Sequence, residues 1–369
     1  MFINFLEYCE KNKINAFDYV PFTMIAKING NNFKENMKNF EEIFTNIQAY
    51  TESESQNAKI TSYYSENFKC DIHNQKFGNC RIFFPSTHYA GDNLWIIKPT
   101  DLYGGKCIQI TDSFQGIEKI VKKFYEGVEK KVLDDSVSES DSENENKPMQ
   151  NRYRASTVLL QKYIESPLLY YGRKFDIRMW ALIDSDMNLY CFKEGHLKTT
   201  SKEYTTKTTD KFVHITNYSL QKRTNNFEKF EIGNEVSFKE FQKCLNQVYD
   251  GKDFYKEIVP QMNDIIIHTA LSIKDKINKK DRQHCYLLLG YDFMIDINFK
   301  VWLIEINKNP GLVESSPVIN SLVPRLLDDC FKLTLDRIFD SRTVGDVKYP
   351  VEDYNDDENM FQFLISLKS

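Results

Sequence analysis

Two carboxylates and an amide fall together in the stretch Leu287–Leu312, where apolar and polar residues alternate in two short runs. A period of two is typical of strands with one buried face, and asparagine tolerates the positive φ of a hairpin turn. With Asn298–Phe299 as the turn, Asp292 lies directly opposite Glu305, and Asn307 shares their face. Such oxygen ligands suit Mg²⁺, which takes one or two carboxylates together with phosphate oxygens. A hairpin with a solvated outer face fits the same pattern, although carboxylates on apolar strands are costly unless paired or metal-bound.

A second set of charged side chains falls on one face of a predicted strand, Phe175–Ile183. The odd-numbered positions of this strand are all apolar, whereas Asp176 and Arg178 occupy even positions and Lys174 precedes them on the same side. Three charges on a strand whose other face is apolar are typical of a wall that faces a ligand. An edge strand with an exposed face would show the same pattern.

A lysine and two glycines mark a third candidate site, between the predicted strands Trp95–Pro99 and Ile108–Ile110. Lys98 ends the first strand, and Gly104 and Gly105 follow in the connecting loop. Glycine lets backbone amides approach an anion closely, so the loop resembles a flexible lid over phosphates. A Gly-Gly pair also fits an ordinary turn.

Composition limits the classes of function. With 369 residues, 41% hydrophobic and 27% charged, the chain is typical of globular proteins and long enough for two or three domains. A formal net charge of −5 argues against a bulk nucleic-acid binder. No run approaches a membrane span, and the N-terminus lacks the features of a signal peptide. The cysteines form no CxxC pair, which indicates neither a zinc ribbon nor a disulfide framework and fits a reducing cytosol.

Charge is distributed unevenly along the chain. The basic strip, Lys193–Arg223, holds seven basic residues against three acidic ones. A basic strip on an acidic protein suggests an acidic partner or phosphates, although a solvated polar face also fits. The acidic, Ser/Asn-rich segment 134–148 predicts a disordered insertion in a surface loop, and the acidic residues after Ser341 predict a frayed tail. Helix starts are expected at Pro317 and again at Pro324.

Together these parts predict an ATP-binding cleft between two α+β lobes. No GxxxxGK[ST] P-loop is present, and the HRD and DFG motifs of protein kinases are missing. Several motifs in this order resemble the tubulin tyrosine ligase-like family, a branch of the ATP-grasp ligases. The matching segments are WIIKP at Trp95–Pro99, QKYI at Gln161–Ile164, GRKFDIRMW at Gly172–Trp180, HITNYS at His214–Ser219 and DFMID…VWLIEINKNPGL at Asp292–Leu312.

The resemblance implies an α+β fold of the ATP-grasp type, with the nucleotide in a cleft between two lobes. The chain begins near the end of the family's small N-terminal domain, so that domain is expected to be truncated. The expected divisions are a remnant N-terminal and linker region at 1–93, a central lobe at 94–165 that carries the insertion, a C-terminal lobe with the metal site at 166–341, and an acidic tail at 342–369.

The resemblance also implies a reaction. In the family, ATP phosphorylates a carboxylate to an acyl phosphate, and an amine displaces the phosphate to form an amide. The usual product is an amino acid joined to a tubulin tail, with glutamate or glycine expected here rather than tyrosine. ATP and Mg²⁺ are the expected cofactors; a free amino acid and the acidic tails of tubulin or microtubules are the expected partners, without nucleic acid or membrane. A monomer in the cytoplasm, at the cytoskeleton or a cilium, is expected.

Matched residue by residue, the resemblance assigns roles to positions of this chain. The metal ligands are Asp292, Glu305 and Asn307, whereas Asp296 shares the hairpin face without a ligand role. The contacts to substrate carboxylates are Arg178, Lys198, Tyr218 and Ser219, of which Arg178 and Lys198 are also taken as catalytic. The nucleotide contacts include two lysines, Lys98 and Lys174, and the lid glycines Gly104 and Gly105. The adenine hinge comprises Gln161, Lys162, Tyr163 and Ile164, and Asp176 lies at the ribose end. Thr216 and Asn217 form a second nucleotide contact.

The chain departs from the family pattern at two places. The lid, usually Arg-Gly-Arg-Gly, reads Gly104-Gly105-Lys106-Cys107, and Lys198 stands where an arginine is usual, so the bidentate grip on a carboxylate is lost. These departures favour an alternative, a non-catalytic relative that binds tubulin, microtubules or nucleotide without turnover; the intact metal trio disfavours it. An ATP-grasp ligase for small molecules is a second alternative, against which the basic strip argues.

Overall fold

The computed structural model describes residues 2–31, 33–52, 69–70, 75–76, 85–102, 105–129, 152–313, 316–339 and 347–368. The expected insertion at 134–148 lies outside the described residues, as does a strand expected at Arg81–Phe84. By their internal contacts the residues form two units. Unit 1 comprises Met1–Val20, Pro167–Tyr204 and Phe212–Ser369, and unit 2 comprises Pro21–Ser166 and Thr205–Lys211. The domain ranges expected from the sequence stay predictions.

Helices and antiparallel strands make up the described structure, which is therefore a mixed helix-and-sheet fold. The α-helices are α1 Phe2–Lys11, α2 Phe33–Glu52, α3 Phe114–Glu126, α4 Lys211–His214, α5 Tyr218–Gln221, α6 Phe238–Val248, α7 Val259–Leu271 and α8 Pro317–Thr334. The strands are β1 Thr23–Lys27, β2 Lys69–Cys70, β3 Gln75–Lys76, β4 Trp95–Pro99, β5 Gln109–Thr111, β6 Val128–Glu129, β7 Arg152–Tyr153, β8 Thr157–Lys162, β9 Leu169–Tyr170, β10 Arg173–Ile183, β11 Asn188–Thr199, β12 Glu235–Ser237, β13 Leu287–Ile295, β14 Val301–Asn307 and β15 Phe361–Ser366. A π-helical turn spans Phe254–Ile258. Among the described residues, every helix is too short or too polar to cross a bilayer.

Unit 2 is built on a four-stranded antiparallel sheet in the order β1-β8-β4-β5. Its core centres on Trp95, whose ring packs edge-on against Phe40 of α2 with the centroids 4.7 Å apart. Helix α3 begins at the Ser113 cap, which accepts a hydrogen bond from the Gly116 amide, and ends at Gly127, whose φ is 106°. Glycine is favoured at such a left-handed position, so the sequence itself terminates this helix.

Unit 1 is built on a larger antiparallel sheet in the order β12-β11-β10-β13-β14, to which β15 adds beside β11 and β9 beside β10. The alternation read in β10 is real: its odd-numbered side chains from Phe175 to Ile183 are buried. Trp180 and Leu182 at even positions are buried as well, under α8, so the charged part of that face is confined to the first half of the strand. The charged residues on this face of β10, Lys174, Asp176 and Arg178, thus lie in its first half.

Helix α8 runs without a break through Pro324, so the expected second helix start there is wrong. The Ser316 hydroxyl caps the helix by accepting from the Ile319 amide at 3.3 Å, with Pro317 in the first turn. An internal proline loses one backbone hydrogen bond and costs about 3 kcal/mol. Burial of Leu322, Leu326 and other apolar residues of α8 against Trp180 offsets that cost.

The tail was expected to fray, and this is also wrong for its described part, 347–368. Strand β15 pairs with β11 from Asn188 to Phe192. The buried Arg325 of α8 donates to the carbonyl oxygens of Tyr349 and Asn355, at 3.2 and 3.0 Å. The tail is acidic on its surface, but these long-range anchors hold it, and local composition does not reveal them.

Candidate active site

The hairpin β13–β14 places Asp292 opposite Glu305, as the sequence predicted, although its loop and strand register differ from those predicted. Its loop is one residue longer than expected, because the Asp296 amide bonds to the carbonyl oxygen of Lys300 at 2.9 Å. Asp292 and its successor pair with Glu305 and Leu303, so Ile304 is the extra residue of a bulge. The bulge compensates for the longer loop and restores the predicted pair.

Two cationic side chains contact the Asp292 carboxylate. The register places Arg178 of β10 beside it, and Arg178 donates from Nε to Oδ1 at 2.7 Å and from Nη2 to Oδ2 at 3.0 Å. Lys198 reaches the same Oδ1 from β11, with its Nζ 2.9 Å away. Burial opposes ionisation, but Lys198 and Arg178 outweigh it and hold the pKa of Asp292 well below its usual range. Asp292 is therefore ionised at every physiological pH.

Asn307 completes the trio expected to bind metal. Its amide nitrogen lies 3.1 Å from Glu305 Oε1 and 3.3 Å from Asp292 Oδ2, so the three side chains meet. No cluster of three or more His, Cys, Asp or Glu side chains suited to a metal occurs among the described residues, and this trio has an amide as its third member. Two carboxylates and an amide oxygen fit the hard-oxygen preference of Mg²⁺, with phosphate oxygens needed to complete its shell.

Asp296 has a structural task at the hairpin turn. It is fully buried and accepts from the amides of Asn298 and Lys300 at 2.9 and 3.1 Å. Its other oxygen accepts from the indole of Trp302 at 3.0 Å. These bonds fix the loop that sets the hairpin register.

Three of the expected nucleotide contacts lie together on the β10 face. Lys174 Nζ is 3.0 Å from Asp176 Oδ1, and the Thr216 hydroxyl donates to the other oxygen of Asp176. Asn217 follows as the residue before α5. The helix then carries the expected substrate contacts: Tyr218, which is half-buried, and Ser219, which is exposed.

In unit 2, Lys98 and Gln161 meet on neighbouring strands. Lys98 Nζ donates to Gln161 Oε1 at 2.9 Å, and the Gln161 amide donates to the Thr23 hydroxyl at 2.8 Å. Gly105 has a φ of 74°, which favours glycine. Gly104 lies outside the described residues. The lid assignment stays a prediction.

The expected adenine hinge has one side chain committed elsewhere. Lys162 is buried, and its Nζ lies 2.7 Å from Glu165 Oε1. Burial lowers the pKa of Lys162 despite that partner. Tyr163 and Ile164 are buried as well. Any nucleotide contact from this segment would therefore come from groups other than the Lys162 ammonium.

Sequence reasoning missed three residues around Arg178. His196 lies opposite Arg178 on β11, and its Nε2 is 3.9 Å from Glu235 of β12. Burial and the nearby cations lower the pKa of His196 well below its usual value, so the ring is neutral. Gly290 makes room: a Cβ there would lie 3.4 Å from Arg178 Cδ and 2.8 Å from Pro310 Cβ. The period-two alternation of β11 would have placed His196 beside Lys198; nothing local marks Gly290 or Glu235.

Comparison with known proteins identifies the family of this chain. A model of the tubulin-tyrosine ligase family matches residues 13–343. Tubulin glycylase 3B of Tetrahymena thermophila is 30% identical over 271 residues, 72% of this chain and 20% of that protein. Tubulin glycylase 3A of Drosophila melanogaster is 30% identical over 71% of this chain and 24% of that protein. A probable alpha-tubulin polyglutamylase of T. thermophila is 28% identical over 70% of this chain and 58% of that protein.

These matches leave much of each relative uncovered, since the chain spans between about a fifth and three-fifths of their lengths. The matched part nevertheless includes β10, β11, β13 and β14, the strands of the charge cluster formed by Arg178, Lys198, Asp292, Glu305 and Asn307. Because the family model covers most of the chain, the chain belongs to the tubulin-tyrosine ligase family.

Proposed function

We propose that this chain is an ATP-dependent ligase that forms an amide bond between an amino acid and a carboxylate of an acidic tail, with tubulin as the protein substrate. The observation that carries the proposal is the cluster around Asp292, where Arg178, Lys198, Glu305 and Asn307 meet at one end of the sheet. Such a cluster combines oxygen ligands for Mg²⁺ with two cations for substrate anions. The names of the relatives support tubulin as the acceptor.

Each group in the cluster has a task in that reaction. Asp292, Glu305 and Asn307 would hold Mg²⁺, which neutralises charge on transferring phosphates when it is bound. Lys174 and Asp176 would hold the nucleotide. Arg178 and Lys198 would orient the carboxylates of the substrates, so that the amine nitrogen reaches the activated carbonyl carbon and phosphate leaves.

Glycine or glutamate is the amino acid proposed to be added, because the relatives include both glycylases and a polyglutamylase. Tubulin as partner places the protein at microtubules or cilia in this proposal. ATP and the free amino acid are the other reactants, and Mg²⁺ is the metal cofactor.

The test is mass spectrometry of tubulin after incubation with the protein, ATP, Mg²⁺ and one amino acid at a time. We expect a mass increase by whole residues of one amino acid, located in the acidic tails. Glu305→Gln serves as the inactive control, because the exposed Glu305 side chain contributes little to stability. If the parent protein adds no amino acid while it binds microtubules, the non-catalytic alternative is correct and the proposal fails.

A further inference from the structure

Three hydrogen bonds link strand β1 to Lys98 inside unit 2. Strand β8 lies between β1 and β4 in the sheet, and its Gln161 lies opposite Thr23 of β1 and Ile96 of β4. Lys98 is two residues beyond Ile96, a diagonal position that a long side chain on the same face can reach. The Lys98 ammonium accordingly donates to Gln161 Oε1 at 2.9 Å. Thr23 has no role in the nucleotide or metal assignments above.

Thr23 determines which way the Gln161 amide points. A threonine hydroxyl has one proton to donate, and that of Thr23 goes to the carbonyl oxygen of Pro21 at 2.8 Å. Towards Gln161 the same hydroxyl can therefore only accept, and it does so from the amide nitrogen at 2.8 Å. The amide oxygen of Gln161 is thereby left to face Lys98. A reversed amide would set its NH2 group against the ammonium, donor against donor.

Burial makes this arrangement costly to change. Thr23 and Gln161 are each 7% exposed, and leaving a buried polar group without a partner costs more than a typical hydrogen bond contributes. The amide oxygen is also a neutral acceptor, so it orients the ammonium without cancelling its charge, whereas a carboxylate in its place would cancel that charge. Lysine benefits from such an anchor because its ammonium is a point charge on a flexible stem.

We propose that Thr23 and Gln161 are positioning residues: Thr23 fixes the Gln161 amide, and that amide holds the Lys98 ammonium where it meets the phosphates of ATP. The inference rests on the proposed function, in which Lys98 contacts the nucleotide, and it adds residues that act through Lys98. It also gives the Gln161 side chain, expected from the sequence in the adenine hinge, the task of orienting Lys98 rather than contacting adenine.

Calorimetric titration with Mg²⁺-ATP tests the inference through binding alone. Thr23→Val keeps the shape of the side chain but removes the hydroxyl, so the Kd should rise at least about threefold. Thr23→Ser keeps the hydroxyl and should stay within about twofold of the parent Kd. A smaller rise in Thr23→Val, or an equal rise in Thr23→Ser, overturns the inference.

Thr111→Val is the matched control. Thr111 is a buried threonine of β5 in the same sheet, and its hydroxyl accepts from the Ser113 amide at 3.3 Å. The Kd of this variant for Mg²⁺-ATP should stay within about twofold of the parent value. If Thr111→Val weakens binding as much as Thr23→Val, the loss of any buried hydroxyl in this sheet has the effect, and the inference fails.

A double-mutant cycle asks whether Thr23 acts through Lys98. Lys98→Met removes the ammonium and should raise the Kd at least about tenfold, since a charge-assisted contact is lost. In the Lys98→Met background, adding Thr23→Val should change the Kd less than about 1.5-fold, because residues that act through one contact are not additive. Effects that multiply in the double variant overturn the inference.

A measurement on the parent protein keeps the test valid even if a valine variant does not fold. Hydrogen exchange of the Gln161 side-chain NH2, followed by ¹⁵N NMR, should be at least about tenfold slower than that of the exposed Gln115, because the Gln161 group is buried and hydrogen-bonded; equal rates overturn the inference. If the parent binds Mg²⁺-ATP but Thr23→Val leaves the Kd unchanged, the inference fails and the proposed function stands. If the parent binds no ATP, both fail.

Discussion

At the scale of single residues, Asp292 and Glu305 are the two carboxylates of the trio, yet their surroundings differ. Asp292 is buried between two cations, whereas Glu305 is exposed. Asp292→Asn leaves Arg178 and Lys198 without their counter-charge and should cost about 3–5 kcal/mol of unfolding free energy. Glu305→Gln should cost about 0.5 kcal/mol or less. Both should abolish ligation, which urea unfolding and the tubulin assay measure together.

The contrast between the two variants is the sharp part of this prediction. Equal destabilisation would show that Asp292 is not the charge that the cations require. Normal ligation in either variant would show that the metal assignment is wrong.

The lowered pKa of Asp292 makes its contribution to stability depend on pH. Its folded pKa lies below the unfolded value of about 3.9, so the contribution is complete above that value and is lost as the pH falls towards the folded pKa. The difference in unfolding free energy between the parent and Asp292→Asn should stay constant from pH 7 to pH 5 and shrink below about pH 4. A difference that grows with acidity would contradict the pairing.

Gly290 offers a test of the space around Arg178. In Gly290→Ala the added methyl would lie 2.8 Å from Pro310 Cβ, too close for both to stay in place. Arg178 or the chain after Asn307 must shift, and the ligation kcat should fall at least about tenfold, because small displacements cost orders of magnitude in rate. Gly311→Ala is the control, since nothing lies within 4 Å of its added Cβ. Equal kcat values in the two variants would argue against this explanation.

At the scale of elements, Arg325 ties the tail to α8. It donates to Asp329 at 2.9 Å and to tail carbonyls while almost fully buried. Arg325→Ala should therefore lower the unfolding free energy by about 3–5 kcal/mol, because Asp329 is left buried without its partner. Lys239→Ala is the control, as its pairs with Glu352 and Asp353 are exposed, and it should cost much less. Chemical denaturation measures the unfolding free energy of both variants. Similar losses in the two variants would mean that the Arg325 contacts to the tail contribute little to stability.

The hairpin shows how far a sequence pattern reaches. Alternation predicted both strands, and a two-residue turn at Asn298–Phe299 predicted the pairing of Asp292 with Glu305; the pair is observed although the turn is one residue longer. The loop and the bulge at Ile304 were not predictable. They depend on the hydrogen bonds that Asp296 accepts from Lys300 and Trp302 and on the positive φ of Phe299, 61°. The sequence has no glycine at this position that would have indicated a positive φ.

The other incorrect or missing predictions concern elements whose positions depend on residues distant in the chain. Pro324 was taken as a helix start because prolines favour that position; the buried residues around it decide otherwise. Likewise, Glu235 lies near Arg178 because β12 pairs with β11. Glu235 and Lys198 are opposite each other in this pairing, although they are 37 positions apart in the chain. Motifs located most of the candidate site, and the pairing between strands supplied its neighbours.

At the scale of the whole molecule, the net charge of −5 opposes an acidic tail, whereas the basic strip attracts it. The Debye screening length falls from about 8 Å at 0.15 M salt to about 3 Å at 1 M. The KM for tubulin should therefore rise with salt, while the amino-acid KM changes little. Lys207→Glu with Lys222→Glu should raise the tubulin KM at low salt. Lys279→Glu with Lys280→Glu, an equal charge change at exposed positions outside the strip, is the control; equal effects would mean that only net charge matters.

The tail strand also covers part of one edge of β11. One side of β11 is shared by two short segments, β12 over His196–Lys198 and β15 over Asn188–Phe192. Without β15, Leu189, Tyr190 and the rest of that segment would present unpaired amides and carbonyls on an apolar strand, a template for edge-to-edge association. Pairing with β15 satisfies these groups, and we expect it to disfavour edge-to-edge aggregation. A chain cut after Phe339 should self-associate in light scattering long before its sheet unfolds.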